Sequence, residues 1–439
     1  MYFDNNYAVP AGWQKLSIGQ ICKKFTSGGT PSRKNLDFYI NGTIPWVKTK
    51  ELNDGYIADV EEFITEEALS NSSAKKLPKD TVLMAMYGAT VGKLGILPFD
   101  AACNQACAAM VVDEGFSDFK FLFYLLKNWR SEIISQATGA AQQNLSGELV
   151  RNFEFDFPPV EIQNAIGELL GTLDEKIRVN QQIASTLEQI AQTVFKSWFL
   201  DFDPVHAKAR GAQPVGMNAE TAALFPDSIE ESELGNIPKG WKVGTISNLC
   251  SRIANGSTPL RSNQSFWEGG DIPWFKTGEL DDGYVLTSGE RITSMGLDNS
   301  SCKIFPANTV LIALYGATIG RLGIISNDAA FNQACCAMIA KDEVGLPFLF
   351  LSLFSRKLLF VNSGMGAAQQ NISKEIVENC PLVIPTEKVL LEFDDLMAPI
   401  FEKLKSIRFE NQALGELRDS LLPRLISGEL EIPAELLEA

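Results

Sequence analysis

A single histidine, His206, stands among the 439 residues. That excludes most zinc sites and any catalytic scheme built on two imidazoles. Cysteine occurs eight times, never as a C-x-x-C pair. No apolar run approaches the roughly 20 residues that a membrane span requires. Residues 1–10 have neither a basic n-region nor an apolar h-region, so no secretory signal is expected. The thiols then read as reduced core fillers in a cytoplasmic protein. The G-x-x-x-x-G-K-[ST] phosphate cradle, the nucleophile elbow, the D-P-P-Y-type methyltransferase motif and paired carboxylates at a telling spacing are all missing. No catalytic centre, metal or cofactor is expected in this chain. An excess of positive charge is also missing: the net charge is −16 and the pI about 4.7.

With 45% hydrophobic and 21% charged residues, the chain is an ordinary globular composition, long enough for about three domains of roughly 150 residues. Its organisation comes from a repeat. Cys22 and Cys250 lie 228 residues apart, as do Cys107 and Cys335. A shift by 228 superposes Gly12-Trp13 on Gly240-Trp241 and Ile44-Pro45-Trp46 on Ile272-Pro273-Trp274. It also superposes Asp54-Gly55-Tyr56 on Asp282-Gly283-Tyr284 and Asn104-Gln105-Ala106-Cys107 on Asn332-Gln333-Ala334-Cys335. Beyond about residue 138 the offset becomes 227, and Gly139–Asn144 matches Gly366–Asn371. A duplication this extensive implies an internal pseudo-two-fold.

Two helical segments continue the repeat. Apolar positions spaced alternately 4 and 3, through Leu173, Ile177, Asn180, Leu187, Val194 and Trp198, form a coiled-coil seam. The second seam runs through Ile400, Leu404, Asn411, Leu414, Leu421 and Leu425. Asn180 and Asn411 interrupt the apolar seams and are candidates for fixing register. The first helix is expected to stop near Asp203-Pro204. Pro399 and Pro423 predict a kink or a fresh start in the second. The expected fold is α+β: two similar mixed α/β domains, 1–157 and 233–385, separated by two long antiparallel coiled-coil helices in spacer regions 158–232 and 386–439. In the globules, Thr81–Tyr87 and Thr309–Tyr315 read as buried strands, and Phe119–Leu126 and Phe348–Phe354 as short helices.

Three polar spots recur in both copies. The first is Trp46 with Lys48, Thr49 and Lys50, paired with Trp274, Lys276 and Thr277. The second is Tyr87, Gly88, Thr90 and Lys93, paired with Tyr315, Gly316, Thr318 and Arg321. The third is Gln142, Gln143 and Asn144, paired with Gln369, Gln370 and Asn371. Cations and hydroxyls suit phosphate, glycines admit close backbone approach, and side-chain amides suit adenine N6 and N7. Each spot also has a plainer use: the tryptophans as core anchors, the glycine loops as tight connections, the amides as caps.

The segment Phe195-Lys196-Ser197-Trp198-Phe199-Leu200-Asp201-Phe202-Asp203-Pro204-Val205, the ending Leu421-Leu422-Pro423-Arg424-Leu425-Ile426-Ser427-Gly428-Glu429 and the opening Pro238-Lys239-Gly240-Trp241 resemble the DNA specificity subunits of type I restriction–modification systems. The resemblance spans essentially the whole chain. It implies two target recognition domains that each read half of a bipartite, gapped duplex DNA site, with the helices setting the gap. It implies partners as well: two methyltransferase subunits that use S-adenosylmethionine to methylate adenine N6, and restriction subunits that translocate with ATP and Mg. This chain would itself be non-catalytic and away from any membrane. His206, Asp201 and Asp203 would be structural, in a turn leaving the helix. A methylation-only system, or a non-DNA scaffold carrying two globules on a coiled coil, are the competing readings.

The charge is distributed unevenly. Residues 1–157 carry 15 basic and 18 acidic side chains, and residues 233–385 carry 12 and 13. The spacer regions each carry a net −6. Nearly neutral globules leave room for a local basic face, and acidic helices suit basic partner surfaces. Weak DNA binding with a shallow salt dependence is expected of the isolated chain.

Overall fold

The strands form where apolar runs are short and bounded by turn residues. In the computed structural model, which describes residues 3, 10–137, 144–364, 371–433 and 435, the first globule holds ten of them. These are β1 (Gln14–Ser17), β2 (Cys22–Ser27), β3 (Ile44–Val47), β4 (Gly55–Tyr56), β5 (Phe63–Ile64), β6 (Val82–Ala85), β7 (Leu94–Ile96), β8 (Ala102–Cys103), β9 (Cys107–Val112) and β10 (Glu154–Phe157). A five-stranded sheet has the order β2-β9-β6-β7-β4, a three-stranded sheet the order β5-β3-β8, and β1 pairs with β10. Every residue of β6 and β9 is buried, which explains their unbroken apolar sequences. The helix Phe119–Asn128 covers the larger sheet, with the Asp118 side chain capping it by accepting from the Phe121 N–H at 2.7 Å.

The second globule repeats this topology strand for strand. Its five-stranded sheet runs Cys250–Asn255, Cys335–Ala340, Val310–Ala313, Leu322–Ile325, Gly283–Val285, and its covering helix spans Leu346–Ser355. Asp54 and Asp282 hold matching turns at φ of 62° and 66°. Their carboxylates accept from the Leu94 and Leu322 N–H groups at 3.1 and 3.0 Å, which compensates for the left-handed backbone.

Two 40-residue helices, Val160–Phe199 and Glu387–Ile426, complete the chain. Compact packing divides the molecule into a unit of residues 1–179 with 412–439 and a unit of residues 180–411. Each unit therefore joins one globule to one half of each helix. In the first, Ile166 and Leu170 share a core with Leu422, Leu425 and Ile426, and Asp174 pairs with Arg418, so the half-helices run antiparallel. In the second, Phe195, Trp198 and Phe199 pack on Phe393, and the Asn180 amide donates to Asn411 Oδ1 at 2.9 Å, with the same antiparallel sense.

All twelve expected seam residues are buried or half-buried. Of the kink or fresh start expected at the prolines of the second helix, the fresh start does not occur. The C-terminal helix passes Pro399 and Pro423 without interruption. Each proline costs one backbone hydrogen bond, but Met397, Phe401, Leu422 and Leu425 beside them are anchored in cores, and packing prevails. The central helix stops at Phe199, just before Asp203-Pro204 as expected, and a new helix spans Asp203–Ala209 with Pro204 in its first turn. His206 thus sits in a helix rather than a turn. Asp203 accepts from the Ser197 hydroxyl at 2.7 Å and Asp201 pairs with Lys196, which fastens the junction.

Asn180 is 1% exposed, so its partner matters. Asn180→Ala should destabilise the chain by about 1–3 kcal/mol, because the Asn411 amide loses its buried partner. Replacing both by leucine should recover most of the loss, as urea unfolding of the two variants will measure.

Candidate nucleic-acid interface

Backbone hydrogen bonds gather four loops at one end of the sheets in the first unit. After β6 the chain enters Tyr87–Thr90. The Met86 N–H donates to the Ala106 carbonyl at 2.8 Å, and the Met86 carbonyl accepts from Leu145 at 2.9 Å. This sets the Tyr87 loop beside the β8–β9 turn and beside Asn144, with which Tyr87 forms a bridge. The Asn104 N–H donates to the Val47 carbonyl at 2.9 Å, bringing in the Lys48 loop. The Gly29 N–H donates to the Cys103 carbonyl at 2.9 Å, and the Thr30 hydroxyl donates to Gln105, adding the loop after β2. A Cβ on Gly28 would stand 2.1 Å from the Cys103 carbonyl oxygen, so only glycine permits this approach.

The second unit repeats each link. Leu314 donates to Ala334 at 2.8 Å, Ile372 to Leu314 at 2.9 Å, Asn332 to Phe275 at 2.9 Å, and Ser257 to Phe331 at 2.9 Å. Thr258 bonds Gln333, and Tyr315 bridges Asn371. The three polar spots therefore converge in both copies. Gln142, Gln143, Gln369 and Gln370 lie outside the described residues.

Within the cluster, the groups differ in what remains available. Tyr87 and Tyr315 are 40% and 42% exposed, unusual for aromatics on rigid strand ends. Lys93 and Arg321 are exposed and have no carboxylate within 4 Å among the described residues. Asn144 and Asn371 are exposed too. The Thr90 and Thr318 hydroxyls donate back to the Tyr87 and Tyr315 carbonyls at 3.4 and 3.0 Å, so they shape the turn. Thr49 and Thr277 are half-buried at the start of single 3₁₀ turns.

Three expected cations are not free. Lys48 lies 3.2 Å from Glu61 and 2.7 Å from Glu62, Lys50 pairs with Glu61, and Lys276 lies 2.6 Å from Glu290. Trp46 and Trp274 are core anchors rather than base contacts, 2% and 1% exposed, their indole N–H groups donating to the Gly29 and Ser257 carbonyls at 2.9 Å. Sequence reasoning overlooked the groups that complete this network. Arg33 binds Glu62 at 2.5 Å while stacking over Tyr39 and Trp46. Arg261 does the same with Glu290, Trp267 and Trp274. Both arginines, both glutamates and the Thr30/Thr258 pair recur at the 228 offset, the signal that marks them.

A row of lysines extends from this end along β2. Lys75 Nζ donates to the Thr26 hydroxyl at 2.7 Å and Lys24 Nζ to the Lys76 carbonyl at 3.2 Å. Lys76 and Lys79 follow, with Asp100 3.6 Å from Lys76. The second copy keeps Lys303 but has Ile304 and Ala307 in place of Lys76 and Lys79, and its Arg252 stacks 3.9 Å over Phe305.

The hydrogen bond from Arg33 holds the Glu62 carboxyl below its ordinary value of 4.5. Burial pushes Glu290 up, but the bonds from Lys276 and Arg261 outweigh it, and its carboxyl also sits low. Carboxyls depressed on folding stabilise the fold fully above their unfolded pKa and lose that contribution as pH falls through the lower folded value. Glu62→Gln should therefore lower the melting temperature modestly near neutrality, where such a pair contributes about 0–1 kcal/mol, and converge with the parent chain at acid pH, so that the limb below about pH 4.5 is flatter. A pH series of thermal melts checks this.

Comparison with known proteins agrees with this architecture. The family model described as the type I restriction modification DNA specificity domain matches residues 10–189 and again 238–418. The HindI specificity subunit of Haemophilus influenzae is 28% identical, the match covering 95% of this chain and 99% of that one. The MjaIX specificity subunit of Methanocaldococcus jannaschii is 27% identical, over 97% and 95%. The crystal structure of a type I restriction–modification S subunit from M. genitalium shares the fold at a TM-score of 0.62 and 15% identity, over 96% of this chain and 98% of that one. With two matches to one model that together take in both globules and most of both helices, the chain belongs to the type I restriction–modification DNA specificity family, the non-catalytic recognition component of such systems.

Proposed function

We propose that each unit reads one half of a bipartite, gapped duplex DNA target through the loop cluster at its sheet end. The observation that carries this is the link-for-link duplication of the cluster, with an exposed tyrosine, an exposed amide and a cation that has no carboxylate within 4 Å among the described residues in each copy. Asn144 and Asn371, with Gln142, Gln143, Gln369 and Gln370 beside them in sequence, supply amides suited to adenine edges. Lys93 and Arg321 supply charge for phosphates, and the Lys24–Lys75–Lys76–Lys79 row extends that track in the first unit. Lys48, Lys50 and Lys276 contribute indirectly, by fixing loops through Glu61, Glu62 and Glu290.

The helix length sets the gap between half-sites. The acidic helical regions hold two methyltransferase subunits, and restriction subunits join them. S-adenosylmethionine, ATP and Mg are used by those partners. This chain contributes no reacting group. Because the two clusters share their tyrosine and their side-chain amides, the half-sites are related in sequence.

The test is the N6-methyladenine map of the host genome with and without this chain. One gapped motif should lose its methylation on deletion. With Tyr87, Lys93 and Asn144 changed to alanine, the preference should relax in one half of that motif and persist in the other. Identical maps, or a folded variant with an unchanged motif, would overturn the assignment of these loops. In the assembled complex, changing Lys24, Lys75, Lys76 and Lys79 to glutamine should reduce the salt slope of binding by about 3.6, given a slope of roughly 0.9 per phosphate neutralised. Titration of binding against salt concentration measures it.

A further inference from the structure

The two units diverge where each globule packs on its half-helices. In the first unit this place holds an internal cation. The Arg418 guanidinium pairs with Asp174 and lies 2.7 Å from Asp419. The Tyr124 hydroxyl donates to Asp174 at 2.7 Å, and Lys127 lies 3.8 Å from it. The covering helices Phe119–Asn128 and Leu346–Ser355 correspond at an offset of 227, as the long helices do, so Arg418, Asp174, Tyr124 and Lys127 become Ala191, Phe401, Leu351 and Phe354. An arginine side chain has been reduced to a methyl group, its partner Asp174 to the Phe401 ring, and its partner Asp419 to the neutral amide of Gln192, which also lines the space.

A cavity of about 200 Å³ opens there in the second unit, and all four replacement residues line it. Two polar groups face the same space. Tyr284 is only 4% exposed, and its buried hydroxyl has no hydrogen-bond partner among the described residues. Glu188 stands where the first unit has Gly415, and has no cation within 4 Å among the described residues. The other charges on the wall are spoken for: Arg408 binds Asp281 at 2.8 Å, and Lys357 binds Asp282. Burial pushes the Glu188 carboxyl up, against the pull of the Arg408 guanidinium and with the neighbouring Asp281 and Asp282 carboxylates adding to the rise.

We infer that this cavity binds a small organic cation, a guanidinium or primary ammonium on a short apolar stem. Its charge pairs with Glu188, one N–H donates to the Tyr284 hydroxyl, and the Phe354 and Phe401 rings enclose the stem. A cavity of 150 Å³ holds benzene, so this one takes a ligand of roughly eight heavy atoms. The first unit needs no such ligand, because Arg418 occupies the equivalent place.

Calorimetric titration of the full-length chain with butylguanidinium, against its neutral isostere butylurea, tests the inference. Saturable one-to-one binding is expected, with a preference of about tenfold or more for the cation. Glu188→Gln, an isosteric change, should abolish that preference. Ala191→Arg should abolish binding, since it rebuilds the internal arginine of the first unit. No saturation by about 10 mM, equal binding of butylurea, or a preference that survives Glu188→Gln would overturn it. Should Ala191→Arg fail to fold, the Glu188→Gln result decides alone. The titration uses no DNA, so its failure is distinguishable from failure of the target-reading function.

Discussion

A 40-residue helix with an apolar stripe exposes that stripe unless something of matching length covers it. Everything else in this chain follows from how that requirement is met. The central helix begins in the first unit and ends in the second, and the C-terminal helix does the reverse. Leu421, Leu422, Leu425, Ile426, Leu430 and Ile432 thereby return to a core otherwise built from the first 179 residues, so the first unit is assembled from both ends of the chain. The polar pairs on the seam, Asn180 with Asn411 and Asp174 with Arg418, satisfy one another in a single register. A shift by one turn would leave buried amides and charges unpaired, whereas an all-apolar seam tolerates slippage.

The globules use the same division of labour in both copies. Wholly buried strands such as Val82–Ala85 and Val310–Ala313 fix the backbone, and the residues just beyond them stand out from it. Tyr87 and Tyr315 are exposed although the four residues before each are not. Ion pairs rigidify the loops around them. Arg33 and Arg261 lie flat on tryptophan faces and hold a glutamate, and that glutamate holds Lys48 or Lys276. Much of the positive charge in these loops is thus neutralised internally. This is how a chain of net charge −16 presents only a few selected cations.

Duplication followed by divergence explains why the copies match at their loops and differ in their interiors. The cluster of backbone links is conserved between them to within 0.1 Å for the Met86–Ala106 and Leu314–Ala334 bonds. The network around Arg418 has no counterpart around Ala191. A core tolerates exchange of an ionic network for apolar groups, because the Coulombic gain and the desolvation cost nearly cancel. A loop cluster that must hold several strand ends at fixed spacing has no such freedom.

The sequence by itself determined the duplication, the buried strands, the covering helices and both helical seams, since periodicity and equal spacing are local facts that survive without coordinates. It also flagged the three polar spots that the fold brings together. It did not separate free cations from paired ones: Lys48 and Lys93 look alike in a string, and only the return of Glu61 and Glu62 to β3 distinguishes them. Nor did it decide whether the helix would continue through Pro399 and Pro423 or start afresh, because the cost of a proline is local while the packing that overrides it comes from residues far away in the chain. The cavity beside Tyr284 was decided by tertiary structure alone. Ala191 and Phe401 are unremarkable seam residues until Glu188, Gly283 and Phe354 are placed around them, and what a side chain leaves vacant depends on neighbours that only folding supplies.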